Sequence, residues 1–117
     1  MALNKTQLAI HKVLEQIVQP NQDVPNLEQQ MVIDDIHGHY LILNVGWNDF
    51  DRTHGVVVHI DIKGDFVWVQ RDNTNFNIVN ALLEQGIAKS RVVLGFHAPF
   101  KRSFSEFATG SELLANT

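Results

Sequence analysis

Between His54 and Asp72 the chain reads HGVVVHIDIKGDFVWVQRD, and this stretch holds three side chains able to bind a metal or carry a proton, His54, His59 and Asp61. Imidazole nitrogen and carboxylate oxygen together suit zinc, and His59 and Asp61, two residues apart on a strand, share one face. One reading is therefore a small metal-dependent nuclease or hydrolase using His54, His59 and Asp61. Against it, no H-E-x-x-H arrangement occurs and the six histidines are scattered over loops and strands. The simpler assignment has His59 and Asp61 hydrogen bonding across the sheet, with no catalytic residue, metal or cofactor expected.

Other chemistries find less support. The chain contains no cysteine, which removes disulfides, thiolate nucleophiles and cysteine-ligated zinc. Ser90, Ser103 and Ser105 stand in loop-like contexts without a G-x-S-x-G elbow. The seven glycines are spread singly, so no phosphate-cradling loop can be built. Lys89, Arg91, Lys101 and Arg102 give the C-terminal third a basic bias, enough to touch a few phosphates or an acidic protein face, although such charges are usually a solvated surface.

These residues need a scaffold. Ile10, Val13, Leu14 and Ile17 keep the spacing of one helical face, Asn4 and Gln7 form a capping box, and Pro20 stops continuation, which predicts a helix over about 4–18. The run QPNQDVPN at 19–26 is a connector. Strands are expected in EQQMVIDDI, YLILNVGW, VVVHIDI and FVWVQ, with turns at Gly38 and at Lys63, Gly64 and Asp65, and a polar loop NDFDRTHG between the second and third. Short connections make these four an antiparallel meander. Asn73 and Thr74 are cap candidates for a second helix over about 75–85, which Gly86 ends, and RVVLGF is a candidate fifth strand. The last dozen residues, from about 106, lose periodicity and are expected to fray.

Alternation across the Lys63–Asp65 turn sorts the side chains. Val58, Ile60, Ile62, Val67 and Val69 share the face on which helices should sit. The opposite face carries Val57, His59, Asp61, Phe66, Trp68 and Gln70. That stripe is too apolar for open water and too polar for a dry core. Aromatic centres with polar rims are typical of protein interfaces, so His59, Asp61, Phe66, Trp68 and Gln70 are read as an interaction surface.

With 117 residues, 44% hydrophobic and 19% charged, the chain suits one soluble domain over 1–117, with an ordered core at about 4–108. A net charge of −4 opposes non-specific attraction to DNA. The N-terminal stretch lacks a signal-peptide core and no apolar run reaches membrane-spanning length, so a cytoplasmic location without membrane attachment is expected.

Five motifs in order, NVGW at 44–47, R-x-HG at 52–55, HIDI at 59–62, VWVQRDNT at 67–74 and VVLGFHAP at 92–99, give the chain from about residue 5 to 108 a resemblance to the XisI-like family, the fdxN-element excision controlling factors of cyanobacteria. Asn75 and Ala98 depart from the family pattern, which has an acidic residue and a second proline there. The resemblance implies a compact α/β protein, and the elements read above make it an α+β two-layer fold, an antiparallel sheet of four to five strands with two helices. The resemblance implies a part in excising a DNA element during heterocyst development, beside a site-specific recombinase and a companion, XisH, and with the empty motif search the expected role is that of a non-enzymatic accessory factor. It supplies no catalytic residues. The expected partner is an XisH-like protein or a second copy of the chain, with DNA touched only indirectly through a recombination complex.

Overall fold

A computed structural model describes residues 3–18, 26–102 and 105–110. The capping box forms as the sequence requires: the Gln7 backbone N–H donates to the Asn4 side chain at 2.8 Å and Asn4 N–H to the Gln7 side chain at 2.9 Å. From it runs helix α1 (Lys5–Val18), whose Ala9, Ile10, Val13, Leu14 and Ile17 are buried. The connector expected at 19–26 lies outside the described residues except for Asn26.

Strands β1 (Leu27–Asp34), β2 (His39–Asn48), β3 (Asp51–Lys63) and β4 (Phe66–Asp72) form the antiparallel meander. The stretch NDFDRTHG, read from its polarity as a loop, is mostly strand. Only residues 49–50 turn, Asp49 taking a positive φ of 55°, and Arg52 lies over the Trp47 ring at 5.1 Å. Stacking of a guanidinium on an indole holds the two arms together where apolar alternation is missing. Because Leu27 of β1 pairs with Gly46, the tip from Trp47 to Arg52 projects beyond β1.

Helix α2 (Ile78–Glu84) starts about three residues later than its spacing predicts. Thr74 donates both its hydroxyl, at 2.8 Å, and its backbone N–H to the Asp72 carboxylate, which keeps 73–76 in a bend outside the helix; Asn77 caps the helix instead. A 3-10 turn (Lys89–Arg91) leads to β5 (Val92–Leu94), and α3 (Pro99–Arg102) follows. The sheet order is β1-β2-β3-β4-β5, and β5 runs parallel to β4, making the sheet mixed. The crossover through α2 permits this, since parallel neighbours need a connection of about a dozen residues or more, usually a helix.

The core lies between α1, α2 and one sheet face. Ile10, Val13, Leu14 and Leu82 pack with Tyr40, Ile42, Val58, Ile60, Val67 and Val69, each fully buried, and burying each such side chain is worth about 1.5–3 kcal/mol. This is the face the alternation assigns to the helices. Val57 is a correction: it packs against the core, not with His59 and Asp61. Ile42 pairs with Val58 and Leu43 with Val56, so Val57 is the extra residue of a β-bulge and escapes the period of two.

The tail also differs from expectation in part. Residues 105–110 dock, with Ala108 bridging Val93 and its N–H donating to Val92 O at 2.9 Å, while 111–117 lie outside the described residues. Among the described residues no helix is long and apolar enough to cross a membrane.

Candidate functional site

On the outer face of the sheet, Asp61 is the one buried charged residue among those described, at 6% exposure. Strand register decides what surrounds it. His39, the first residue of β2, pairs directly with Asp61, and its Nδ1 lies 2.7 Å from Asp61 Oδ1. From two residues back on β3, His59 Nε2 reaches the same oxygen at 2.9 Å. Gln70 Nε2 donates to the other oxygen at 3.2 Å. Burial by itself raises the Asp61 pKa, but hydrogen bonds from His39, His59 and Gln70, with the charge of His59, outweigh it and hold the carboxyl below its ordinary range.

Two backbone features serve this arrangement. His59 pairs with Arg71 and Ile60 with Val69, leaving Gln70 as the extra residue of a bulge in β4 that aims its side chain at Asp61. Gly95, just past β5, makes room: a Cβ there would lie 2.3 Å from Gln70 Oε1.

Of the metal set written from sequence, the structure brings together His59 and Asp61 but not His54. His54 pairs with Val45, seven residues before Asp61 on the same strand and roughly 20 Å away. His39 takes its place. Its pairing depends on register across the Gly38 turn, and the only local hint was its position at the mouth of that turn, where Gly38 O accepts from Ile62 N–H at 2.8 Å.

The aromatic part of the stripe is largely covered by the chain itself. The Trp68 ring carries Lys63 Nζ at 4.5 Å and the Arg102 guanidinium at 5.0 Å from its centroid, and Gly110 packs so closely on its edge that a Cβ would meet the ring at 2.6 Å. Its Nε1 is buried without a hydrogen-bond partner. Phe66 is half-buried at the start of β4. The basic residues are not gathered into an open patch. Lys89 pairs with Glu106 at 2.6 Å, Arg91 binds Asp65 O and Thr6 Oγ1, Arg102 binds backbone carbonyls of Gly95, His97 and Thr109, and Lys101 lies over Phe100.

A second polar network, unseen from sequence, ties α1 to the β1–β2 turn. Asp35 accepts from Tyr40 OH at 2.7 Å and lies 2.9 Å from His11 Nε2. Desolvation pushes the Asp35 carboxyl up, yet the bonds from Tyr40 and His11 prevail and lower its pKa, while burial and Asp35 push Tyr40 well above its usual value. Its position under the helix gives it a structural role.

The uncovered part of the outer face lies over β1–β3. Val32, Leu41, Leu43, Val45 and Val56 face outward there, opposite in register to the buried Tyr40, Ile42 and Val58, and no described helix covers them. Val32 is 42% exposed, Trp47 at the projecting tip 53%, and Phe50 98%.

Similarity to known proteins agrees with this architecture. The chain is similar in structure to an XisI-like protein from Anabaena variabilis ATCC 29413, with a TM-score of 0.83 and 31% identity over 89% of this chain and 95% of that one. It is similar also to the fdxN element excision controlling factor XisI from the same organism, with a TM-score of 0.78 and 28% identity over 91% of this chain and 99% of that one. No curated protein matches it. The family model described as XisI protein matches residues 1–109, and the chain belongs to the XisI family.

Proposed function

We propose that this chain is a non-enzymatic accessory factor that controls excision of a DNA element by binding a protein partner, an XisH-like companion. Membership of the XisI family and likeness to an excision controlling factor supply the process. The observation that carries the mode of action is the one-sided sheet: α1 and α2 cover one face, while on the other Val32 and the Trp47 and Phe50 tip are exposed beside the half-buried Leu41, Leu43 and Val45, with no described helix over them. An apolar sheet face rimmed by polar residues is a protein-docking surface, and exposed aromatics at its end are typical anchors.

The reading departs in one respect from the sequence expectation. The centre of the surface shifts from Trp68, which Lys63, Arg102 and Gly110 already cover, toward β1–β3. His59, Asp61 and Gln70 stand at its border. Direct duplex binding gains no support, since the net charge is −4 and the four basic side chains of the C-terminal third are engaged within the chain.

The test is titration of a purified XisH-like companion with the wild type, Leu43→Asp and Trp47→Ala. Wild type should bind, Leu43→Asp should abolish binding with circular dichroism unchanged, and Trp47→Ala should weaken it at least about tenfold, as loss of an anchor does. Unaltered affinity in both variants would overturn the assignment. Self-association of the wild type, abolished by Leu43→Asp, would give the face to a second copy instead.

A further inference from the structure

We propose that His39, His59 and Asp61 form a binding site for a divalent first-row metal ion, of which zinc is the probe of choice. The inference is independent of the partner reading. One potential ligand atom from each of the three side chains lies within 4.8 Å of the others, the only such group among the described residues, and His39 Nδ1 and His59 Nε2 are the nitrogens that face Asp61. Two imidazoles and one carboxylate are a donor set for zinc or another first-row ion, and not for calcium or magnesium, which prefer oxygen throughout.

The dimensions fit with a small adjustment. Ligand atoms bound tetrahedrally at zinc distances stand about 3.3–3.5 Å apart. Here both nitrogens approach Asp61 Oδ1 at 2.7 and 2.9 Å, so these two edges must open by roughly half an ångström, while the His39–His59 edge, within 4.8 Å, must come to the same spacing. The exposed ligands can supply that movement, because the His39 side chain is 57% exposed and that of His59 35%, whereas Asp61 is fixed. In neutral rings that donate to Asp61, the proton moves to the far nitrogen, His39 Nε2 and His59 Nδ1, and the freed lone pairs turn to the metal. Solvent completes the coordination from the open side.

The support behind Asp61 separates this cluster from a casual surface pairing. Gln70 binds the carboxylate oxygen that neither histidine uses, a bulge in β4 aims it there, and the missing side chain at Gly95 leaves space for its amide. A ligating carboxylate held by an outer hydrogen bond on a rigid strand is the construction that metal sites share. The other histidine–carboxylate contacts, His11–Asp35 and His37–Asp34, each involve a single imidazole.

The experiment uses the full chain without a histidine tag, stripped with a chelator and dialysed. Calorimetric titration with zinc chloride should show one equivalent bound at micromolar affinity or better, and cobalt(II) should give the visible absorption of a tetrahedral site. His39→Ala, at an exposed position, should abolish the 1:1 isotherm with circular dichroism unchanged, and His59→Ala likewise. Gln70→Ala should weaken binding by about tenfold, the lower end of outer-shell effects. His37→Ala and His54→Ala should change nothing. Absence of stoichiometric binding in the wild type, or the same isotherm in the His39→Ala, His59→Ala double variant, would overturn the proposal.

Discussion

Truncating Trp68 to alanine tests whether the aromatic stripe belongs to the molecule's own packing. Removing a buried tryptophan typically costs ~3–5 kcal/mol. Trp68 is half-buried, so its packing share is set at about 2 kcal/mol. Two cations face its ring, Lys63 at 4.5 Å and Arg102 at 5.0 Å, and each such contact is worth about 0.5–1 kcal/mol at a partly exposed site. Relief of the unpartnered indole N–H offsets a fraction of the loss. The net expectation is ~3 kcal/mol. With a urea dependence of about 1.5 kcal/mol/M for a domain of this size, the unfolding midpoint falls by ~2 M. Because Gly110 and Arg102 rest on the ring, 105–110 should lose its seat, and hydrogen exchange at the Ala108 amide, bonded to Val92 O, should accelerate. Trp68→Phe keeps the packing and removes the orphan donor, so it should cost under ~1 kcal/mol. A midpoint shift in Trp68→Ala below ~0.5 M, with the Ala108 amide still protected, would show that the ring is not part of the chain's own packing and return it to the partner surface.

Further perturbations address the supports of the fold and site. Tyr40→Phe removes the hydroxyl that donates to the Asp35 carboxylate and should cost roughly 1.5–3 kcal/mol in chemical denaturation. The Asp35 carboxyl has its pKa lowered by folding, so as pH falls the unfolded chain takes up that proton first; stability present above about pH 4 should decline below it, and less steeply in Asp35→Asn. Leu82→Ala, at a fully buried position of α2, should cost about 2–5 kcal/mol. Gly95→Ala should displace Gln70 from Asp61 and reproduce, in zinc titration, the effect of Gln70→Ala.

Much of the fold was legible because its signals are local. The capping box and apolar spacing mark α1, the turns mark the hairpins, and alternation of Val58, Ile60, Val67 and Val69 identifies the core face. Errors arose where one residue breaks a period. At Val57 a bulge turns the side chain to the core, and in 48–55 a two-residue turn and an Arg52–Trp47 stack replace the expected loop. The parallel direction of β5 is made possible by the helix that precedes it and is not written in the three residues VVL.

The candidate site was half legible. His59 and Asp61 share a strand and disclose their proximity by spacing, but His39 reaches Asp61 only through the register of β2 on β3, which no local pattern encodes. His54 resembled a third ligand because it is close in sequence, although an extended chain carries it far along the strand. Trp68 was read as part of an outer surface, while its cover comes from Arg102 at the end of α3 and from Gly110, in the stretch without periodicity.

Hydrogen exchange of the chain alone and in complex with a purified XisH-like companion decides whether the outer sheet face docks the partner. New protection should be confined to β1, β2, the first half of β3 and the tip from Trp47 to Arg52, with α1 and α2 unchanged. Protection concentrated on α1 and α2, with β2 and the tip exchanging as in the free chain, would contradict it.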